Sequence, residues 1–81
     1  MKKIAEDLYE YKGVFVKKLS SGNYVARFYV RSTGGMCKVT GATQSNFKRI
    51  FNQFTRTNGG VDMRMTNEYQ ARNFKIGMMR G

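Results

Sequence analysis

Apolar and polar side chains alternate along three stretches between residues 12 and 41, and alternation of this kind is typical of half-buried strands. The clearest stretch is YVARFYVR at residues 24–31. The runs VFVKKL (14–19) and MCKVT (36–40) show the same alternation. Between the runs lie SSGN (20–23) and STGG (32–35), which are turn signals. Residues 12–41 are therefore predicted to form a three-stranded antiparallel meander with one apolar face.

Residues 43–57 are predicted to form an amphipathic helix. Phe47, Ile50, Phe51 and Phe54 recur at i, i+3, i+4 and i+7, which places them in one stripe. Thr43 or Ser45 is the expected N-cap, and the Asn-Gly-Gly of residues 58–60 is a stop signal. We expect the stripe to cover the apolar face of the sheet, which gives an α+β fold with a helix packed on one face.

The two ends of the chain leave alternatives open. Residues 1–10 fit a short helix, through the spacing of Ile4 and Leu8, or an extended segment. In residues 61–81, Val61, Met63 and Met65 alternate with polar residues, which predicts a fourth strand, whereas TNEYQARNFK from residue 66 fits helical turns. The sheet then has three or four strands, and 81 residues make a single domain.

Several classes of protein are excluded or disfavoured by the residues present. No run approaches the roughly 20 apolar residues of a membrane span, and acids occupy residues 6 and 7, so we expect a cytoplasmic protein. With one cysteine, Cys37, and no histidine, neither an internal disulfide nor a single-chain zinc site is expected. The five carboxylates suit a solvated surface better than acid–base work, and a P-loop is absent. We expect no catalysis, no metal and no cofactor.

Positive charge is the strongest global signal. The chain has fifteen Lys and Arg and five Asp and Glu, which gives a formal net charge of +10. Residues 11–61 carry nine cations and no acid. A field of this sign attracts polyanions, of which nucleic acid is the commonest. A surface built only for solubility is better served by mixed signs.

The strand face opposite the predicted helix combines cations with aromatic residues. It carries Phe15, Lys17, Val25, Arg27, Tyr29, Arg31, Lys38 and Thr40. Cations pair with phosphates, an arginine also reads a guanine edge, and aromatic rings stack on bases. The predicted nucleic-acid-binding residues are Lys12, Phe15, Lys17, Lys18, Arg27, Tyr29, Arg31, Lys38, Lys48 and Arg49. On the polar side of the helix, Lys48, Arg49 and Arg56 form a second basic surface or only solvate it.

The segments YKGVFVKKLSSGNYVARFYV and VTGATQSNFKRIFNQF, within residues 11–56, resemble the AP2-type DNA-binding domain and the arm-binding domains of phage integrases. The resemblance implies three strands and a helix, with the sheet in the major groove. It also implies which side chains face DNA: Lys12, Phe15, Lys17, Arg27 and Tyr29. This chain departs from the family at its third strand, where Cys37 and Val39 replace the usual exposed Arg and Trp, and in its Phe-rich helix.

The sequence thus predicts a small basic nucleic-acid-binding protein, with duplex DNA favoured and a regulatory role of the phage or mobile-element type. One rival is an interaction protein or inhibitor that docks on an acidic protein surface, using adaptable methionines at 63, 65, 78 and 79. Another is a binder of small anionic nucleotides. A homodimer is compatible with so small a core.

Overall fold

The computed structural model describes residues 1–73, which form a five-stranded antiparallel sheet and two helices. The strands are β1 (Lys2–Ala5), β2 (Leu8–Tyr11), β3 (Val14–Lys18), β4 (Tyr24–Tyr29) and β5 (Met36–Gly41), and the helices are α1 (Gln44–Thr57) and α2 (Met63–Asn73). Strand order follows chain order, β1-β2-β3-β4-β5, so the sheet is a meander. The α+β class predicted from the sequence is confirmed.

The sheet has five strands rather than the three or four predicted. The additional strands come from the first eleven residues, which form a hairpin whose second strand pairs with β3, as in Tyr11↔Val14. Tyr9 and Tyr11 share the face that packs against α1, and the Tyr11 ring lies 5.3 Å from that of Phe51. The segment is therefore extended rather than helical, because Tyr11 packs on α1 and β2 pairs with β3.

The predicted fourth strand at residues 61–65 is wrong. Val61 makes only an isolated bridge with Val30, and the chain is helical from Met63. Asp62 explains this start: its side chain accepts a hydrogen bond from the Met65 N–H at 3.2 Å, as an N-cap does. Residues 74–81, which include Met78 and Met79 of the predicted C-terminal segment, lie outside the described residues.

The core lies between α1 and one face of the sheet. Val14, Val16, Ala26, Phe28, Val30 and Val39 supply the sheet side, and Phe47 and Phe51 supply the helix side. Thr43 is the N-cap of α1 and accepts a hydrogen bond from the Asn46 N–H at 3.1 Å. This packing confirms which alternate residues of β3 and β4 face the core. It also confirms the apolar stripe predicted for the helix.

The backbone pairing of β3 and β4 ends soon after the turn that joins them. Only Lys17↔Val25 and Lys18↔Tyr24 are paired. Continued at the same register, the ladder would place Phe15 opposite Arg27 and Gly13 opposite Tyr29. Beyond these two pairs, side chains of α2 reach both strands from the face opposite α1.

Two buried side chains of α2 satisfy backbone groups that lie beyond the residues at which β3 and β4 pair. The Gln70 amide accepts from the Phe15 N–H at 2.6 Å and donates to the Gly13 carbonyl at 3.4 Å. The Thr66 hydroxyl accepts from the Tyr29 N–H at 3.0 Å. These contacts replace strand–strand hydrogen bonds, so that buried polar groups keep their partners.

Replacing Gln70 with alanine should destabilise the fold, since the Phe15 N–H loses its acceptor in a part-buried site. The expected loss of unfolding free energy is about 1–3 kcal/mol, measured by urea denaturation. Asn67→Ala is the matched control, because Asn67 is an exposed amide on the same helix. Equal stability of the two variants would show that the Gln70 amide does not hold the strands to α2.

Candidate nucleic-acid interface

A groove of about 350 Å³ lies on the sheet face opposite α1. The strands β3, β4 and β5 form its floor, the β3–β4 turn borders it, and α2 contributes Tyr69. Its lining residues are Phe15, Lys17, Leu19, Asn23, Val25, Arg27, Lys38, Thr40 and Tyr69. The face that the sequence predicts to be open is therefore a recess with borders.

Three cations surround this groove. The side chains of Lys17, Arg27 and Lys38 are exposed, and none of the described lining residues carries a carboxylate. With Phe15, these are the predicted binding residues that the structure brings together. An anion in the groove would therefore meet positive charge from three neighbouring strands.

The register of the sheet sets two of these cations directly against each other. Arg27 on β4 is the cross-strand partner of Lys38 on β5. Like charges that are directly opposite destabilise a sheet, because side chains on paired residues lie about 5 Å apart at Cβ. We therefore expect the pair to weaken the fold while no anion is present, and a bound phosphate to relieve the repulsion.

Val25 forms part of the floor and corrects one expectation. The sequence places it on the exposed face with Arg27, but it is only 8 % exposed. Lys17 and Thr40 are its cross-strand partners on either side, and their side chains share its face. The groove thus has an apolar floor beneath a basic rim.

Tyr69 is a groove residue that the sequence analysis did not single out. Its ring lies 6.4 Å from that of Tyr29, edge to face. The helical interpretation of residues 66–75 carries a signal for it, since Thr66, Tyr69 and Gln70 are spaced i, i+3 and i+4 and so share one side of a helix. The spacing alone does not show which element this side of the helix contacts.

Several predicted binding residues lie on the opposite side of the sheet. Lys12 and Lys48 place their Nζ atoms 5.4 and 5.7 Å from the centre of the Tyr11 ring, and Lys18 lies 5.7 Å from that of Tyr24. Both tyrosines pack on the α1 side. These lysines therefore do not contribute to the groove.

The remaining predicted residues are not among the lining residues of the groove. Arg31 follows β4, and its N–H donates to the Gly60 carbonyl. Arg49 is exposed on α1 and donates to Asn46. Tyr29 lies next to the groove, against Tyr69, but is not one of its lining residues.

The amino group of Met1 lies near Lys48, on the α1 side of the sheet. A hydrogen bond with Lys48, partial desolvation and repulsion from the Lys48 charge lower the pKa of the Met1 amino group.

A second hollow, of about 430 Å³, lies on α1 and is lined by Ile50, Gln53, Phe54, Thr57 and Asn58. This hollow has no charged lining residue, so it lacks the chemistry of the groove.

Residues 1–73 contain no group of three or more His, Cys, Asp or Glu side chains placed to hold a metal ion. Neither helix in this part of the chain has the length and apolar character needed to cross a membrane.

Comparisons with family models, with curated proteins and with solved structures return no match to this chain.

Replacing Lys38 with glutamate should stabilise the free protein, since it sets a carboxylate opposite Arg27. The expected gain is about 0.2–1 kcal/mol in urea denaturation at low salt, and it should shrink as salt screens the pair. Lys3→Glu is the control: it changes net charge equally, is exposed, and pairs with Tyr9. Identical stabilities of the two variants would contradict the repulsion assigned to Arg27 and Lys38.

Proposed function

We propose that this chain is a small non-catalytic nucleic-acid-binding protein whose groove holds the phosphate backbone. The observation that carries the proposal is the convergence of Lys17, Arg27 and Lys38 on one recess without a carboxylate among its lining residues. The chain has a net charge of +10, and the commonest polyanion that such a protein meets is the phosphate backbone of nucleic acid.

Each groove residue has a distinct part in this proposal. The planar guanidinium of Arg27 donates two parallel hydrogen bonds to one phosphate, and Lys17 and Lys38 act as point charges on its neighbours. Val25 provides an apolar surface for a sugar or base, while Asn23 and Thr40 supply polar contacts at the rim.

The order of elements over residues 11–56 supports the same proposal. Three antiparallel strands (β3, β4 and β5) are followed by α1, which is the arrangement implied by the resemblance to AP2-type and integrase arm-binding domains. Of the residues that this resemblance turns toward DNA, Phe15, Lys17 and Arg27 line the groove, whereas Lys12 and Tyr29 do not. The preference for DNA, the phage-type regulatory role, the cytoplasmic location and the homodimer stay predictions from the sequence.

Fluorescence anisotropy of labelled oligonucleotides, titrated with the protein at several salt concentrations, tests the proposal. Arg27→Ala combined with Lys38→Ala should lower affinity by about 10- to 100-fold, because two charge-assisted phosphate contacts are lost. The slope of log K against log salt should become shallower by about two units or slightly less. The fold should survive, since the pair removed is a repulsive one.

The matched control is Arg49→Ala combined with Arg56→Ala, which removes the same charge from exposed positions on α1. It should retain most of the affinity at physiological salt. Equal losses in the two double variants would show that only net charge attracts the ligand. Absence of binding to every nucleic acid at that salt would favour an acidic protein partner instead.

A further inference from the structure

We infer that the groove binds a single strand of nucleic acid and discriminates against duplex. This inference rests on the proposed function and names the form of its ligand. It departs from the duplex DNA that the family resemblance favours, and it comes from the position of α2.

The basic residues lie between two borders. The β3–β4 turn, with Leu19 and Asn23, borders the groove, as does Tyr69 of α2. On β4 the lining residues run from Val25 to Arg27, so the floor is about 7 Å long, and three neighbouring strands span about 10 Å between the axes of the outer two. This floor is wide enough for one chain of sugars and phosphates.

One side of α2 lies on the same face as the groove. Phe28 points toward α1, where its ring lies 5.0 Å from that of Phe51, so the neighbouring Tyr29 points the other way. Tyr69 packs against Tyr29 and therefore lies on the groove face. A ligand approaching Arg27 meets α2 beside the floor.

The size of this border matters for duplex DNA. The major groove of B-DNA is about 12 Å wide, and one α-helix with its side chains is about 10–12 Å across. Strands with a helix beside them are too wide to enter together. A sheet inserted in the major groove is therefore disfavoured for this chain, although its strand order resembles domains that bind in that way.

The border belongs to the folded core of the protein. Thr66 is fully buried and Gln70 is 7 % exposed, and both are hydrogen-bonded to strand backbone. Moving α2 aside would leave the N–H groups of Phe15 and Tyr29 without these acceptors, which is costly in a buried site. We therefore expect the ligand to fit the recess as it stands.

A single strand meets these constraints. It is narrow and flexible, so successive phosphates can follow Lys17, Arg27 and Lys38 while a sugar or base lies on Val25. A positively charged groove with apolar and aromatic lining is the arrangement that proteins use for single-stranded nucleic acid.

The test compares one sequence of about 20 nucleotides as single-stranded DNA and as duplex, at physiological salt, by anisotropy with the full chain. The single strand should bind tighter by about tenfold or more, the order of one base contact. The Arg27→Ala, Lys38→Ala variant should lose this preference, and the Arg49→Ala, Arg56→Ala control should keep it. Adenosine monophosphate should compete at least about a hundredfold more weakly than the strand, because it offers one phosphate.

Duplex bound as tightly as the single strand, and weakened by the groove variant, would overturn this inference while the proposed function stands. Adenosine monophosphate competing as well as the strand would also overturn it, in favour of a small-nucleotide pocket. If the groove variant and the control bind both forms with equal affinity, both the proposed function and this inference are wrong.

Discussion

The shape of this protein depends on two buried side chains, Thr66 and Gln70, whose hydrogen bonds replace strand–strand hydrogen bonds. They satisfy backbone groups of Phe15, Gly13 and Tyr29 that β3 and β4 would otherwise satisfy for each other. Because of this substitution the pairing of β3 and β4 stops after two residue pairs, and α2 lies against the sheet face opposite α1 and borders the recess there. Without it, a continued ladder at the same register would leave a flatter face, and Tyr69 would have no place beside the groove.

The groove is charged at some cost to stability. Arg27 and Lys38 are paired across the sheet, an arrangement that the fold alone does not favour. The aromatic and aliphatic packing between α1 and the sheet, centred on Phe28, Phe47 and Phe51, has to offset that repulsion. Concentrating like charge on one face is the usual condition for binding a polyanion, since the ligand supplies the compensating charge.

Local patterns predicted the elements whose partners lie nearby in sequence. The alternation in residues 24–30, the stripe of α1 and the Thr43 cap all depend on short-range spacing, and all are found in the structure. The patterns were insufficient at residues 8–11 and 63–65. Residues 8–11 form a strand whose Tyr11 packs on Phe51 of α1, a contact distant in sequence. Residues 63–65 are helical for a local reason, because Asp62 caps the turn that carries Thr66 and Gln70 to the strands. Helical turns from residue 66 were predicted, but Tyr69 could not be placed in the groove because the contacts of Thr66 and Gln70 with the strands join residues far apart in sequence.

The binding site can be mapped directly by NMR, using ¹⁵N-labelled chain titrated with a short single-stranded oligonucleotide. If the groove holds the strand, amide shift changes should be concentrated at Lys17, Val25, Arg27, Lys38 and Tyr69, with little change along the outer face of α1. Shift changes centred instead on α1, around Arg49 and Phe54, or spread evenly over the surface, would contradict the assignment of the groove as the binding site.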